Sequence, residues 1–224
     1  DLAEKAYEIS KAGALLARSA AEEFGSLERP RFVAGSMGPT TKAISLTGGI
    51  TFDELSEHYY IQAKGLWDGG SDFFLIETAQ DTLNLKSAMM GIEKFSQEKN
   101  IRIPVAISVT LEPNGTLLAG QGIEAVFNSV SHLDMLYFGI NCGTGPDMMR
   151  DHLRTLSEFA GVAIACMPNA GLPDENGHYI LSPKKMADVL GQYCDDGWLN
   201  IVGGCCGTTP EHIRALTEKV RYQK

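Results

Sequence analysis

Three cysteines, at two places in the chain, have the residue type and the surroundings of a metal site. Cys142 follows an apolar segment in FGINCGTGP, and the adjacent residues Cys205 and Cys206 follow another in IVGGCCGTTP. Thiolates are favoured zinc ligands, and a catalytic zinc site uses three protein ligands while its fourth position stays open. Glycines on both sides of the Cys205–Cys206 pair permit the sharp turn that two adjacent ligands need. We therefore predict a zinc site formed by Cys142, Cys205 and Cys206.

Other interpretations of the cysteines stay open at this point. An isolated cysteine is most often a small buried hydrophobic residue, which is a competing interpretation for Cys142 taken alone. A vicinal disulfide or redox pair is an alternative for Cys205 and Cys206, although the reducing cytoplasm expected here disfavours it. We predict no ligand role for Cys166, inside IACM, or for Cys194, in a helical pattern. We also assign no ligand role to the histidines, His58, His132, His152, His178 and His212.

One carboxylate, Glu77, stands at the end of the apolar segment DFFLIE. A carboxylate at a strand end beside an active site can bind a cationic group such as the ammonium of a substrate. The alternative is a surface carboxylate or a cap for the helix that is predicted to begin near Thr82. We predict substrate binding for Glu77.

Short apolar segments alternate with amphipathic segments of helical length, and this alternation predicts the elements that position these residues. An initial helix is predicted from the spacing of apolar residues between Leu2 and Ala20. Six strands are predicted at 31–35, 72–77, 104–111, 135–142, 162–167 and 199–203. The helices that follow them are predicted at 52–67, 82–99, 123–132, 147–160, 182–193 and 210–220. Near-continuous apolar strands separated by helices indicate an α/β fold with a parallel sheet.

Two architectures fit this alternation, a (β/α)8 TIM barrel and an open doubly wound sheet. No GxGxxG or GxxxxGK[ST] motif follows a strand, which disfavours a nucleotide-binding open sheet. A barrel places its active site at the carboxyl ends of its strands, where the three cysteines and Glu77 are predicted to lie. A barrel needs eight units, so we expect the first two strand units to be missing before Asp1.

The composition narrows the function classes. A chain of 224 residues with 44% hydrophobic residues is long enough and apolar enough for one globular domain. A net charge of −9 disfavours nucleic-acid binding, which uses a basic face. We expect no membrane span and no secretion signal, and therefore a cytoplasmic protein. An odd number of cysteines, five, favours metal binding or catalysis over a disulfide framework.

Six motifs together resemble the homocysteine S-methyltransferase family. GINCGTGP and NIVGGCCGTTP, which contain the three cysteines, are similar to the zinc-binding signature of that family. The other four are similar to the homocysteine-binding module of cobalamin-dependent methionine synthases: AGSMGPT at 34–40, LIETAQDTLNLK at 75–86, AGQGIEA at 119–125 and PNAGLP at 168–173. The resemblance covers essentially the whole chain.

The resemblance implies a methyltransferase that converts homocysteine to methionine on a zinc-bearing barrel. Residues 1–224 would form the homocysteine-binding domain, N-terminally incomplete because the family's first strand and its DGA- or DGG-type loop are not found. Glu77 would hold the homocysteine ammonium, and Asn141 receives no assigned role. The implied methyl donor is methylcobalamin, charged from 5-methyltetrahydrofolate. No DxHxxG motif occurs, so the cobalamin and folate modules would lie elsewhere in the same longer protein.

Two alternatives to this function remain. One is a stand-alone homocysteine methyltransferase that uses S-methylmethionine or betaine as the methyl donor. The other is a zinc-binding fragment without catalytic activity.

Overall fold

A computed structural model describes residues 2–221, so Asp1 and residues 222–224 of the predicted domain lie outside the described residues. The chain divides into two compact units, an N-terminal unit, Asp1–Ala106, and a C-terminal unit, Ile107–Lys224. Within residues 2–221, no helix is both long enough and apolar enough to cross a membrane.

The N-terminal unit consists of three helices and two parallel strands. After a short 3-10 turn, its elements are α1 (Ala6–Phe24), β1 (Ala34–Met37), α2 (Phe52–Asp68), β2 (Phe73–Ala79) and α3 (Thr82–Lys99). In the strand pair, Ala34 lies opposite Phe73 and Met37 opposite Ile76. The apolar core of this unit includes Leu55 and Phe95, both fully buried. The initial helix predicted from the sequence is confirmed as α1.

The first strand begins later than the sequence predicts, at Ala34 rather than at residue 31. The side chain of Asp72 explains the difference, because its Oδ2 atom accepts a hydrogen bond from the Val33 amide at 2.6 Å. The same atom binds the Arg18 guanidinium at 2.6 Å. The Asp72 side chain thus takes the place of a backbone acceptor for the Val33 amide. Regular pairing of β1 with β2 starts at the next residue, Ala34. Phe32, just before this point, is 69% exposed.

The C-terminal unit continues the alternation with four parallel strands. Its elements are β3 (Val105–Val109), which begins at the unit boundary, α4 (Ile123–Val130), β4 (Phe138–Asn141), α5 (Pro146–Phe159), β5 (Ile164–Met167), α6 (Pro183–Asp195), β6 (Ile201–Val202) and α7 (Pro210–Val220). The strands pair in chain order, β3 with β4, β4 with β5 and β5 with β6. Every residue of β3 and β4 is buried, as expected for strands that are covered on both faces.

The last helix begins as its sequence predicts. Thr209 is the N-cap of α7 and Pro210 occupies the first turn. His212 completes this cap, because its Nδ1 atom accepts a hydrogen bond from the Thr209 amide at 3.2 Å. The fixed φ of proline and its missing N–H suit the first helical position.

The predicted α/β class is confirmed. Residues 2–221 contain six strands, each followed by a helix, and the pairs within each unit are parallel. This repeated strand–helix order is consistent with part of a (β/α)8 barrel.

Candidate metal centre

The three cysteines predicted as ligands lie together in the C-terminal unit. The Sγ atoms of Cys142 and Cys206 are 3.9 Å apart, and those of Cys205 and Cys206 are 4.0 Å apart. All three sulfur atoms lie within 4.8 Å of one another. Residues separated by more than 60 positions in the sequence therefore present three thiols to one point.

The sulfur spacing fits a tetrahedral metal site. Zn–S bonds of about 2.3 Å at tetrahedral angles separate two sulfur ligands by about 3.8 Å. The two measured separations lie within a few tenths of an ångström of that value, so small side-chain rotations would bring the thiols to bonding geometry. Three thiolates form a soft donor set that suits zinc and leaves a fourth position for another ligand. The residues present therefore fit the metal that their sequence predicts.

Cys142 reaches this point through an unusual backbone conformation directly after β4. Its φ is 59°, in the left-handed region that residues other than glycine seldom adopt. Such a conformation costs on the order of 1–3 kcal/mol and persists only where the surroundings enforce it. Here the Cys142 amide donates to the Met167 carbonyl at 3.1 Å, and its carbonyl accepts from the Thr144 amide at 2.6 Å.

Asn141 anchors the residue before this turn. It is 0% exposed, and its Oδ1 atom accepts a hydrogen bond from the Ser108 hydroxyl at 2.6 Å. The bond crosses from β3 to β4 inside the core, where it satisfies two buried polar groups. Asn141, for which the sequence suggests no role, is therefore a structural support for the Cys142 turn.

A single segment, formed by the last residue of β5 and the two residues after it, bonds to the backbone of all three cysteines. The amide of Cys142 donates to the carbonyl of Met167, and the amide of Cys205 donates to the carbonyl of Pro168 at 2.8 Å. The amide of Cys206 donates to the side-chain Oδ1 of Asn169 at 3.1 Å. Three consecutive residues, 167–169, thus receive the three ligand amides. This segment aligns the chain after β4 with the chain after β6.

The Cys205–Cys206 pair depends on the glycines around it. A Cβ atom at Gly204 would lie 2.2 Å from the Thr208 hydroxyl, so a larger residue would displace Thr208. Gly207 has φ of 75°, and a Cβ atom there would lie 2.2 Å from the ring of Tyr179. Close packing thus favours glycine at both positions, and backbone freedom favours it in addition at Gly207.

The electrostatics of the cluster oppose three negative charges without a cation. Burial, followed by the nearby thiols of Cys142 and Cys206, raises the pKa of the Cys205 thiol to about 12. Like charges at this spacing disfavour each other's ionised forms. A divalent cation among the three sulfurs would reverse that effect, since it stabilises the thiolate form of each ligand.

The cysteines predicted as non-ligands lie outside this cluster. Cys166 is fully buried in β5, where its Sγ atom contacts the Met149 Sδ atom at 3.8 Å, and burial raises the pKa of its thiol. Cys194 is half-buried on α6. The group of three ligating side chains found in residues 2–221 contains neither residue and no histidine.

Glu77 lies in the N-terminal unit and is described there by itself. It is inside β2, two residues before the strand ends, and is half-buried. Its Oε2 atom accepts a hydrogen bond from the Ser36 hydroxyl at 2.6 Å, and it lines a cleft with Met37, Gly38 and Tyr59. The N-cap of α3 is Asp81, so the alternative of Glu77 as a helix cap is wrong.

Asn169 and Tyr179 were not predicted as parts of the site. The PNAG motif that contains Asn169 was visible in the sequence, but a side-chain bond to a ligand amide has no sequence signature of its own. Tyr179 lies on the segment that joins β5 to α6, and burial, followed by a hydrogen bond with the Cys206 thiol, raises the pKa of its hydroxyl. Spacing alone could not have indicated that this segment returns to the cysteines.

Comparison with known proteins shows the family to which the chain is similar. The profile of the family described as homocysteine S-methyltransferase matches residues 1–220. A methionine synthase from Mycobacterium tuberculosis is 41% identical over 223 residues, which are 98% of the chain but 19% of that protein. The chain thus spans about a fifth of the length of this curated relative.

Solved structures show the same fold. The apo form of the homocysteine methyltransferase MmuM from Escherichia coli matches 97% of the chain, and 75% of its own chain, with a TM-score of 0.76 at 21% identity. The metallated form of that protein matches 95% of the chain, and 70% of its own, with a TM-score of 0.74 at 20% identity. These likenesses show the TIM-barrel fold expected from the sequence.

Proposed function

The chain belongs to the homocysteine S-methyltransferase family of enzymes, and we propose that it holds one zinc ion on Cys142, Cys205 and Cys206 and methylates the thiol of homocysteine. The observation that supports this most strongly is the convergence of the three sulfurs at a spacing suited to tetrahedral coordination. When bound, zinc supplies the Lewis acidity that keeps a coordinated substrate thiol deprotonated.

The residues of the chain have separate tasks in this proposal. Residues 167–169 hold the backbone of the three ligands, so the donor atoms are positioned before a metal arrives. Glu77 binds the homocysteine ammonium through its carboxylate, which the Ser36 hydroxyl orients. A charge-assisted hydrogen bond of this kind contributes on the order of 1.5–3 kcal/mol. In the reaction, the substrate sulfur forms a bond to the methyl carbon as the bond between that carbon and its donor breaks. The thiol proton leaves when the substrate binds.

We further propose that methylcobalamin, charged from 5-methyltetrahydrofolate, is the methyl donor. The 41% identity to a methionine synthase supports this donor, and the match to only 19% of that protein is what a single module of a larger enzyme would give. In this proposal residues 1–224 are the homocysteine-binding domain, and modules of the same longer protein carry the cobalamin and the folate. An assay that offers methylcobalamin, S-methylmethionine and betaine separately tests the donor. Methionine formed only from either of the last two would contradict it.

Calorimetric titration of the zinc-loaded protein with homocysteine tests the thiol chemistry. If the substrate binds as a thiolate, binding releases close to one proton, because a free thiol with a pKa near 8.5 is mostly protonated at pH 7. The observed enthalpy should then vary with the ionisation enthalpy of the buffer. Methionine, which has no thiol, is the control and should release no proton. Homocysteine binding without proton release would contradict the proposal.

A further inference from the structure

The loop between β1 and α2, residues 38–51, forms part of the cleft that contains Glu77. Gly38, Thr40 and Ala43 of this β1–α2 loop line the cleft together with Glu77. None of residues 38–51 is buried. A segment with few buried apolar contacts opens easily unless other interactions hold it. The position of the β1–α2 loop in the cleft therefore depends on its hydrogen bonds.

The carboxylate of Asp81 holds the middle of the β1–α2 loop. Its Oδ2 atom accepts a hydrogen bond from the Ser45 amide at 2.7 Å, and its Oδ1 atom accepts from the Ser45 hydroxyl at 2.9 Å. Oδ1 also accepts from the Leu83 amide at 2.8 Å, as the N-cap of α3. Asp81 is 1% exposed, and a carboxylate buried to this extent needs such bonds. Asp81 thus ties the loop to the first turn of α3.

Two other buried side chains hold the loop on either side of its residue 40. Asn84 accepts from the Ile44 amide at 2.9 Å and donates to the Lys42 carbonyl at 2.8 Å. The Tyr59 hydroxyl donates to the Gly38 carbonyl at 3.0 Å. Asn84 and Tyr59 are both buried, and both line the cleft. The loop is therefore attached to α2 and α3 before any ligand is bound.

This attachment has a consequence for binding. A ligand binds most tightly where the groups around it are already in place, because no ordering cost is then incurred. If the β1–α2 loop were in place for only a fraction of the time, the apparent dissociation constant would rise by the inverse of that fraction. Asp81 follows Glu77 by four positions, so it fixes the loop relative to the carboxylate that is proposed to bind the substrate ammonium.

We propose that Asp81 is a positioning residue for homocysteine, which holds the β1–α2 loop in place as a wall of the Glu77 cleft. The inference rests on the proposed function and assigns to the substrate site a residue that acts through the loop. Asp81 uses its carboxylate oxygens on Ser45 and on the helix amide, and it does not bond to the substrate.

The variant Asp81→Ser tests this role, because serine keeps the helix cap and removes the bonds to the loop. Serine is a favourable N-cap, as Ser182 is for α6, but its single oxygen cannot replace both carboxylate oxygens. Calorimetric titration of the zinc-loaded variant should give a dissociation constant for homocysteine about 10-fold higher than that of the wild type, as expected if the loop is in place about a tenth of the time. The number of homocysteine sites per chain and the zinc content should not change. In methyl-transfer assays the KM for homocysteine should rise while kcat stays the same.

Asp72→Ser is the matched control. Asp72 stands just before β2, whereas Asp81 follows that strand, and its carboxylate likewise holds a backbone amide, that of Val33, at 2.6 Å. It also binds the Arg18 guanidinium, so its loss should lower the thermal stability at least as much as Asp81→Ser does. The homocysteine affinity of Asp72→Ser should nevertheless equal that of the wild type. Equal weakening in both variants would show a general loss of stability and would overturn the role of Asp81.

Ser45→Ala, combined with Asp81→Ser, tests whether the effect passes through the loop. Alone, it should raise the dissociation constant for homocysteine by about 3-fold, because one hydrogen bond to Asp81 is lost. In the Asp81→Ser background it should have no further effect, since the bond is already absent. Wild-type affinity in Asp81→Ser, or fully additive effects in the double variant, would overturn the role of Asp81 and leave the proposed function intact. A wild-type protein that binds no homocysteine would instead overturn the proposed function, and the role of Asp81 with it.

Discussion

The N-terminal and C-terminal units each contain a residue other than glycine with a left-handed backbone conformation, one beside a carboxylate and one at a cysteine. Thr78, inside β2, and Cys142, directly after β4, both have a φ of 59° although neither is a glycine. In the N-terminal unit, the strained residue follows the carboxylate Glu77. In the C-terminal unit, the strained residue is itself one of the proposed ligands. Unusual backbone at strand ends thus accompanies both groups for which a function is proposed.

The two sites differ in how they are supported. Glu77 is held by its own strand and by one hydroxyl, that of the exposed Ser36. The three thiols depend on the chain after three strands, β4, β5 and β6, and on bonds between those segments. A change at the metal site should therefore spread to the other ligands. A change at Glu77 should remain local and affect substrate binding alone.

The largest effect is expected when one ligand is removed. Each of Cys142→Ser, Cys205→Ser and Cys206→Ser should lower the zinc affinity by more than the 10–100-fold typical of an outer-shell partner. The reason is that one of the three protein bonds to the metal is lost, and a serine hydroxyl is a much poorer zinc ligand than a thiolate. Zinc content after exhaustive dialysis, measured by plasma emission spectrometry, checks this result.

Cys194→Ser is the matched control for these variants, because Cys194 is a half-buried cysteine of the same unit outside the cluster. It should retain one zinc ion per chain. Full zinc content in Cys205→Ser or Cys206→Ser would remove the pair from the ligand set.

The second largest effect is expected at Glu77, and it should change homocysteine binding without changing zinc binding. Glu77→Gln should weaken homocysteine binding by about 10- to 150-fold, equivalent to about 1.5–3 kcal/mol, because it removes the negative partner of the substrate ammonium. Zinc content should not change. Calorimetric titration measures the affinity, and Glu93→Gln, which alters an exposed carboxylate on α3, serves as the control. If the two variants bound homocysteine equally well, Glu77 would have no part in substrate recognition.

The smallest effect separates backbone strain from packing at the metal site. Gly207→Ala and Gly177→Ala both place a side chain at a positive φ, 75° and 80°, but only at Gly207 would the new Cβ atom meet the Tyr179 ring. We expect Gly207→Ala to lower the free energy of unfolding by about 1–2 kcal/mol more than Gly177→Ala does. Chemical denaturation of the metal-free variants gives this difference. Equal losses of unfolding free energy in the two variants would mean that the Tyr179 ring moves away from the new Cβ atom without an energetic cost.

The sequence predicted the elements of both units well, since near-continuous apolar strands alternating with amphipathic helices leave few other folds. The largest differences are at the starts of β1 and β4, each of which lies three residues later than predicted. At β1, the Asp72 side chain takes the place of a strand partner for the Val33 amide. This hydrogen bond depends on a residue 39 positions away, so the local sequence pattern does not indicate it. Side-chain bonds to the backbone therefore set strand limits that periodicity cannot give.

That the three cysteines lie together was also predictable, because each of the two cysteine motifs follows an apolar strand and the carboxyl ends of parallel strands meet at one edge of a sheet. The residues that hold the backbone around these cysteines were not predictable. Asn169 binds the Cys206 amide, and Asn141 binds the Ser108 hydroxyl, through contacts that exist only once the strands are adjacent. Asparagine is common in turns for local reasons, so its presence in PNAG or GINC does not by itself indicate a role.

The most direct test of the central claim is the number of sulfur atoms bound to zinc, measured by X-ray absorption at the zinc K edge. The three thiols at the C-terminal unit predict three sulfur neighbours at about 2.3 Å and one oxygen or nitrogen neighbour in the protein alone. Addition of homocysteine should raise the number of sulfur neighbours to four, whereas addition of methionine should leave it at three. Four sulfur neighbours before homocysteine is added, or three after saturation with it, would contradict the claim that this centre activates the substrate thiol.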